Sequence, residues 1–206
     1  NDCRNSAFGI DIAVAAGTVI SSVNIFDNHI EDIENGWFGG SHTRGIMVYN
    51  QSTYLDNNQS SFNVHDNTIR NVGFSEDTLT RNPAITLDRN SAIEVAIAEY
   101  ANVHDNTIIN DKSYAYHGIA NGIQSVNACD NSTIHDNKVY GRFVRGILSI
   151  DNEGKGREAS INGNIIKLSS LPKFTSIVQE CVRTHPNATI GKNSLKVGQG
   201  ATSLLY

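Results

Sequence analysis

One short motif, an apolar residue followed by Asp-Asn or a variant of it and then another apolar residue, returns six times along the 206-residue chain. Its clear copies read VNIFDNHIEDI at Val23–Ile33, FNVHDNTIRNV at Phe62–Val72, NVHDNTIIND at Asn102–Asp111 and TIHDNKVY at Thr133–Tyr140, and its weaker copies read SINGNII at Ser160–Ile166 and TIGKNSL at Thr189–Leu195. The shared Asn falls at Asn28, Asn67, Asn106, Asn137, Asn164 and Asn193, at intervals of 39, 39, 31, 27 and 29 residues. Such a period is typical of a solenoid, in which each repeat is one coil that buries its apolar side against its neighbours.

A second motif alternates with the first and supplies a further strand in each coil. It reads GIDI at Gly9–Ile12, GIMV at Gly45–Val48, AITL at Ala84–Leu87, GIQSV at Gly122–Val126, GILSI at Gly146–Ile150 and, in degenerate form, TSIV at Thr175–Val178. With two strands flanking each Asp-Asn corner, we predict three strands per coil. Because strand side chains alternate between the two faces, Val64 and Ile69 are expected to point inward, and His65 and Thr68 outward.

The Asp-Asn corner needs one residue with a left-handed backbone, and Asn is the non-glycine residue that adopts it most readily. We therefore assign the left-handed position to the Asn. Stacked coils place equivalent corners one strand spacing apart, about 4.8 Å. The Asn amides are then expected to hydrogen-bond along the stack as a ladder.

The predicted fold class is all-β, a right-handed single-stranded parallel β-helix of about six coils that forms a single domain over residues 1–206. The handedness follows from the crossover rule for parallel strands. At one strand spacing per coil, six coils make a rod roughly 29 Å tall. The chain opens at Asn1 without a signal peptide, so we expect it to be part of a longer chain.

The charge pattern bears on the class of partner. The formal net charge is −5, and Lys and Arg are scattered along the sequence. Nucleic acids and anionic membranes usually require a clustered basic face, so neither is expected as a partner. No apolar run approaches the ~18 residues of a membrane span, so membrane insertion is not expected.

Three cysteines and three histidines of the repeat are the residues that could supply disulfide or metal chemistry. Cys3, Cys129 and Cys181 show no C-x-x-C spacing and predict no disulfide framework. The histidines share one position of the repeat, V/I-H-D-N, and are His65, His104 and His135. A column spaced by about 4.8 Å spreads its side chains, whereas a metal ion needs ligands that converge at about 2 Å. No metal and no cofactor is therefore predicted.

With three strands per coil, an Asn at the short corner and variable connections elsewhere, the chain from Phe8 to about Leu195 resembles the right-handed parallel β-helix proteins of the pectate-lyase-like superfamily. The superfamily includes polysaccharide lyases, glycoside hydrolases, epimerases, phage tailspike depolymerases and non-catalytic adhesins. Irregular coil lengths and Asn-rich corners look most like a phage tailspike. That resemblance implies a bacterial surface polysaccharide as partner, an extracellular or virion location, and a homotrimer as the candidate assembly. No catalytic motif of any one family matches, and the superfamily's N-terminal capping helix has no counterpart here.

The resemblance places a sugar-binding groove beside the GIxV strand and the long connections that precede it, Glu31–Arg44, Arg70–Pro83 and Asn110–Asn121. Glycoside hydrolysis needs a pair of carboxylates, one protonated and one ionised. Our candidate catalytic carboxylates are Glu34, Asp77 and Asp88.

The candidate substrate-binding residues are of two kinds. Trp37 and Phe38, within GWFGG, could stack on a sugar ring, or could instead fasten their connection to the coil. A uronate lyase would need a base and a cation to neutralise the uronate carboxylate, and these roles fit His42, His117, Arg44 and Arg145. The alternative for the two arginines is a solvent-exposed corner.

These features lead to three hypotheses for function. The favoured hypothesis is a carbohydrate-active β-helix that binds and cleaves a bacterial surface polysaccharide by hydrolysis. The first alternative is a non-catalytic β-helix, either an adhesin or a structural shaft segment. The second alternative is a uronate polysaccharide lyase.

Overall fold

The structure, a computed structural model, describes residues 2–3, 8–14, 22–35, 43–50, 60–74, 90–111, 121–126, 131–150, 158–170 and 179–198. These residues form nineteen β-strands, β1 to β19, arranged in three sheets. Within these ranges, no helix is long and apolar enough to cross a membrane.

Sheet A has seven strands, and sheets B and C have six each. Sheet A contains β1 (Asp2–Cys3), β4 (His29–Asn35), β7 (Thr68–Phe74), β10 (Thr107–Asn110), β13 (Lys138–Gly141), β16 (Ile165–Leu168) and β19 (Ser194–Val197). Sheet B contains β2 (Phe8–Val14), β5 (Arg44–Asn50), β8 (Ser91–Ala96), β11 (Asn121–Val126), β14 (Arg145–Ile150) and β17 (Glu180–Thr184). Sheet C contains β3 (Ser22–Phe26), β6 (Ser61–His65), β9 (Tyr100–His104), β12 (Asn131–His135), β15 (Glu158–Asn162) and β18 (Ala188–Gly191).

The chain visits the sheets in the fixed order A, B, C, and each strand pairs in parallel with the strand three places further along. This connectivity is that of a parallel β-helix of six coils, which confirms the predicted fold class. Parallel crossover connections of this kind are right-handed.

A continuous column of branched apolar side chains fills the interior. Ile69, Ile108, Val139 and Ile166 follow one another on sheet A and are each at most 1% exposed. Val64 is also fully buried, while His65 and Thr68 beside it are only partly buried, so the predicted alternation is confirmed. Each fully buried Val or Ile contributes about 1.5–3 kcal/mol from transfer out of water.

The corner between sheets C and A differs from the prediction in one respect. The left-handed residue is the Asp before the shared Asn, not the Asn itself. The residues at this position are Asp27, Asp66, Asp105, Asp136, Gly163 and Lys192, with φ between 50° and 66°. The reason is that the Asn is needed inside the corner, where Asn67, Asn106 and Asn137 are at most 1% exposed.

The buried asparagines form the predicted ladder. In each step the side-chain Nδ2 donates to Oδ1 of the Asn in the next coil, over 2.9 Å from Asn67 to Asn106 and 3.0 Å from Asn106 to Asn137. The same Oδ1 accepts the backbone N–H of the previous Asn, as at 3.0 Å between Asn67 N and Asn106. The ladder therefore satisfies the buried polar groups of a corner that has no regular strand pairing.

Two copies of the second motif were wrongly aligned. The third strand of sheet B is Ser91–Ala96, in place of the predicted Ala84–Leu87, which lies outside the described residues. The sixth is Glu180–Thr184, in place of Thr175–Val178. Both true copies lack the Gly that opens the motif, in the sequences AIEV and CVRT, and this obscured their likeness to GIxV.

The lengths of the connections are unequal around the coil. Every corner between sheets C and A has two residues, such as Asp66-Asn67. The connections that lead into sheet B from sheet A include residues 36–43, 75–90, 111–120 and 169–179, and those that lead out of it include 15–21, 51–60 and 151–157. Sheet B is therefore the sheet bordered on both sides by long connections.

Candidate functional site

The outer face of sheet B carries a column of side chains that point away from the core. Glu94, for example, lies between Ile93 and Val95, both fully buried, and so faces outward. The column follows the register of the six strands and consists of Asp11, Met47, Glu94, Gln124, Leu148 and Arg183.

A second column, at the first position of these strands, lies beside it. In register it consists of Phe8, Arg44, Ser91, Asn121, Arg145 and Glu180. Side chains of the two columns are bonded to each other. Arg44 Nε donates to Glu94 Oε2 at 2.6 Å, and Asn121 Nδ2 donates to Gln124 Oε1 at 2.8 Å.

The charged side chains of this face are unusually buried. Arg44 and Glu94 are each 5% exposed, and Glu180 is 7% exposed. Removing a charge from water costs several kcal/mol, which is offset only when the partner is close and further hydrogen bonds are made. Glu94 meets this condition because Ser91 Oγ lies 3.4 Å from the oxygen that already accepts from Arg44.

Asp11 is the exposed carboxylate of the same outward column. Partial burial raises the pKa of its carboxyl, and the positive charge of Arg44 acts in the opposite direction. Asp11 and Glu94 are separated by one strand, which carries Met47 at the intervening position. Two strand spacings place their backbones about 9.6 Å apart.

Two arginines flank a carboxylate at the C-terminal end of the face. Glu180 Oε2 lies 2.8 Å from Arg145 Nε and 3.9 Å from Arg183 Nη1. Two polar atoms of the residues that directly precede β5 and β8, Thr43 Oγ1 and Asn90 Nδ2, are buried without a hydrogen-bond partner among the described residues. Buried polar atoms of this kind mark places where a bound water or ligand group is expected.

Of the nine predicted site residues, the structure describes two completely. Arg44 and Arg145 occupy equivalent positions on this face, and each is bonded to a glutamate rather than lying at a solvent corner. Glu34 is described through its backbone, which pairs with Gly73 near the end of β4, where the chain turns toward sheet B. The other six, Asp77, Asp88, Trp37, Phe38, His42 and His117, lie outside the described residues.

Sequence reasoning missed Asp11, Glu94 and Glu180. The signal for Asp11 was present, since it is the third residue of the GIDI copy of the second motif. Glu94 occupies the same position in the misaligned third copy. A search for carboxylates at the outward position of the recognised GIxV copies would have found Asp11, whereas Glu94 required the third copy to be placed in Ser91–Ala96.

The outer face of sheet C carries the histidine column. The rings of His65, His104 and His135 stack in parallel with centroids 4.9 Å apart, and Phe26 stacks on the first at 5.3 Å. In each coil Nδ1 bonds the Asp that follows, as in His65–Asp66 at 2.7 Å. No group of three or more potential metal ligands occurs among the described residues.

Fold and topology define this chain as a parallel β-helix protein. Comparisons with protein-family models, with curated proteins and with solved structures find no match to it.

Proposed function

We propose that the chain is a carbohydrate-active β-helix that binds a bacterial surface polysaccharide along the outer face of sheet B and hydrolyses it. The resemblance to the pectate-lyase-like superfamily, and to phage tailspikes in particular, supports this choice of partner. It also supports an extracellular or virion location and a homotrimeric assembly as parts of the same proposal.

One observation carries the proposal. The outer face of sheet B presents charged and amide side chains in register on successive strands, between long connections on both sides. A row of hydrogen-bonding groups that repeats every ~4.8 Å suits an extended polymer with repeating hydroxyl groups. Sugar sites combine such polar groups with apolar and aromatic side chains. The connection that contains Trp37 and Phe38 leads directly into sheet B in sequence.

The proposed chemistry uses Asp11 and Glu94. Asp11, whose pKa is raised by partial burial, donates its proton to the glycosidic oxygen as that oxygen's bond to the anomeric carbon breaks. Glu94 accepts a proton from a water molecule, whose oxygen forms the new bond to the anomeric carbon from the opposite side. A backbone separation of about 9.6 Å is close to the ~6.5–9.5 Å between the carboxyl groups of inverting enzymes and well above the ~5–5.5 Å of retaining enzymes, so the product is expected to have the inverted configuration. Glu34, Asp77 and Asp88 remain further candidates for these roles.

Arg44 favours hydrolysis over lyase chemistry. A lyase needs a cation to neutralise the uronate carboxylate of its substrate. Arg44 and Arg145 are each already paired with a glutamate of the protein. In the hydrolase, the same contact between Arg44 and Glu94 holds the Glu94 carboxylate in place on the outer face of sheet B.

A non-catalytic adhesin or shaft segment is the second candidate, and the burial of Arg44 and Glu94 favours it. An ion pair only 5% exposed on both sides can serve as a structural link between coils. In an adhesin the outer face of sheet B would bind sugar without cleaving it, and in a shaft segment it would have no ligand.

The test is release of new reducing ends from a panel of bacterial capsular and O-antigen polysaccharides, with the absorbance of unsaturated uronates followed in parallel. Reducing ends without that absorbance indicate a hydrolase, and both signals together indicate a lyase. Loss of an acid or base typically lowers the rate by 10²–10⁴-fold, and we expect a loss of roughly that size for Asp11→Asn and for Glu94→Gln.

Glu158→Gln is the matched control, because it makes the same chemical change at an exposed position on sheet C. We expect it to keep full activity. Far-ultraviolet circular dichroism would show that all three variants are folded. If folded wild-type protein releases no reducing ends from any polysaccharide of the panel but retains one in affinity electrophoresis, the binding function replaces the hydrolase.

A further inference from the structure

The C-terminal part of sheet A presents a cluster of lysines on its outer face. Lys167 and Lys196 lie directly opposite each other in register on β16 and β19, and Lys138 lies on the neighbouring strand β13. All three side chains are exposed. Lys167 Nζ lies 5.7 Å from the centre of the Tyr140 ring, in register with it on β13. Together with Lys192 at the last corner, these residues form what we call the basic face.

Three lysines of the basic face have no carboxylate partner in the part of the chain that the structure describes. No described carboxylate lies within 4.0 Å of Lys138, Lys167 or Lys196. Like charges directly opposite each other on neighbouring strands destabilise a sheet. Asp136, at the corner that precedes Lys138, bonds His135 on the side of sheet C at 2.9 Å. Among the described residues, the face therefore holds positive charge that no carboxylate pairs with.

The N-terminal part of the same outer face shows the opposite arrangement. There Arg70 forms a hydrogen-bonded ion pair with Asp111 and lies 4.0 Å from Glu31. The hydrogen bond from Arg70 lowers the pKa of Asp111, although burial acts in the opposite direction. A single cation is thus matched by two carboxylates on the N-terminal strands of this sheet.

Net charge along the whole chain changes in the same direction, from negative in the N-terminal part to positive in the C-terminal part. Residues 1–111 contain 15 carboxylates and 5 arginines, a net charge of −10, and residues 112–206 contain 6 carboxylates and 11 lysines and arginines, a net charge of +5. All seven lysines fall in the second segment. The corner position changes likewise, from Asp in four coils to Gly163 and then Lys192. Because coils stack in sequence order, this gradient runs along the axis of the rod.

We propose that the basic face binds an acidic polysaccharide, whose carboxylate or sulfate groups lie on Lys138, Lys167 and Lys196 while one sugar ring packs beside Tyr140. The choice of a polysaccharide rests on the proposed function, which the inference deepens by naming the polymer as anionic. The basic face is a second contact surface, separate from Asp11 and Glu94 on sheet B.

Nucleic acid fits the same face less well. Duplex DNA carries one charge per ~1.7 Å of its length, and the net charge of −10 on the N-terminal coils repels so dense an anion. Proteins that bind single strands stack successive bases on several aromatic rings, whereas Tyr140 is the one ring in strands β10, β13, β16 and β19.

The experiment measures binding of the 206-residue chain to an end-labelled oligogalacturonide by fluorescence anisotropy over a series of salt concentrations. An end-labelled neutral dextran oligomer and a single-stranded DNA of equal charge serve as comparison probes. We expect the acidic oligosaccharide to bind and the dextran to bind at least tenfold more weakly. Lys167→Gln/Lys196→Gln should raise the Kd about tenfold or more and make its salt dependence shallower, since each basic residue near an anionic surface contributes roughly fivefold.

Two controls separate charge from structure. Lys167→Arg/Lys196→Arg retains both charges and should retain binding. Arg70→Gln removes a cation from the same sheet where it is already paired, and should leave the Kd within about twofold. Equal binding of dextran and oligogalacturonide, an unchanged Kd in the Lys→Gln pair, or tighter binding of the DNA would each overturn the proposal.

The same measurement distinguishes this inference from the proposed function. Binding that survives Asp11→Asn but is lost in Lys167→Gln/Lys196→Gln supports the basic face even when no polysaccharide is cleaved. Cleavage of neutral polysaccharides only, with no effect of the lysine pair, supports the site on sheet B and overturns the basic face.

Discussion

The Nε–H of Arg44 donates a hydrogen bond to Oε2 of Glu94 at 2.6 Å, although 50 positions separate the two residues in sequence. The bond joins β5 to β8, the second and third strands of sheet B, on their outer face. It is therefore both a link between coils and the structural support of the proposed catalytic carboxylate. These two roles can be separated by comparing stability with activity.

Removal of one partner of this pair is expected to destabilise the protein strongly. Glu94→Ala leaves the Arg44 guanidinium buried and unpaired, and should lower the free energy of unfolding by about 3–5 kcal/mol in urea denaturation. Arg44→Met/Glu94→Leu removes both charges and should recover most of that loss, while it still abolishes hydrolysis. Asp111→Ala breaks an exposed ion pair and should have a far smaller effect. A small effect of Glu94→Ala would show that water reaches Arg44.

The centre of the asparagine ladder is expected to tolerate substitution poorly. Asn106 Oδ1 accepts from both the backbone N–H and the side chain of Asn67, and its Nδ2 donates to Val64 O and His104 O at 2.9 Å. Asn106→Leu leaves several of these buried groups without partners, each of which costs about 1–3 kcal/mol. We therefore expect a loss of at least about 3 kcal/mol in urea denaturation. Asn193→Leu, at the end of the ladder, should cost much less, and equal losses at both positions would contradict this account.

The fold could be predicted from the sequence because the repeat is encoded locally. Spacing of the shared Asn gives the length of each coil, and alternation around it separates inward Val64 from outward His65. The left-handed residue was misassigned because Asp and Asn both tolerate that backbone. Only the stacked arrangement reveals that the second residue, such as Asn67, is needed for the ladder.

The candidate site could be predicted only in part. The arginines at positions 44 and 145 were found because they precede a recognisable GI pair, but their partners were not. Glu94 lies in a strand whose AIEV sequence resembles the motif weakly, and its pairing with Arg44 depends on which strands become neighbours. The basic face was missed for a different reason. Lys and Arg together are scattered along the sequence, but all seven lysines follow residue 111, and the net charge of −5 conceals this uneven distribution.

Gly141 and Gly191 offer a matched test of the turn geometry. Gly141 ends β13 with φ of 108°, and a Cβ there would overlap the backbone oxygen of Asn110 on the neighbouring strand. Gly141→Ala should therefore cost about 3 kcal/mol or more in unfolding free energy. Gly191 has nothing within 4 Å of a Cβ, and Gly191→Ala should be neutral or stabilise by up to about 1 kcal/mol through the unfolded state. Similar changes in unfolding free energy at both positions would mean that the backbone around Gly141 shifts to accommodate a Cβ at little cost.

Cys181 is expected to be inert while the protein is folded. It is fully buried in β17, and burial raises the pKa of its thiol from 9.0 to about 11, although a backbone hydrogen bond from Lys196 acts in the opposite direction. Because the thiolate is the reactive form, iodoacetamide at pH 8 should modify this residue only after unfolding in urea, as followed by peptide mass spectrometry.

The same shift predicts how stability changes at alkaline pH. The unfolded chain releases the Cys181 proton at a lower pH than the folded chain, so this contribution to stability is complete below about pH 9 and is lost as the pH rises through about 11. Cys181→Ala removes the titrating group. Between about pH 8.5 and 10.5, the urea midpoint of this variant should therefore fall less than that of the wild type. Parallel declines for the two proteins would show that Cys181 titrates alike in the folded and unfolded states, and that the C-terminal coil is open to water.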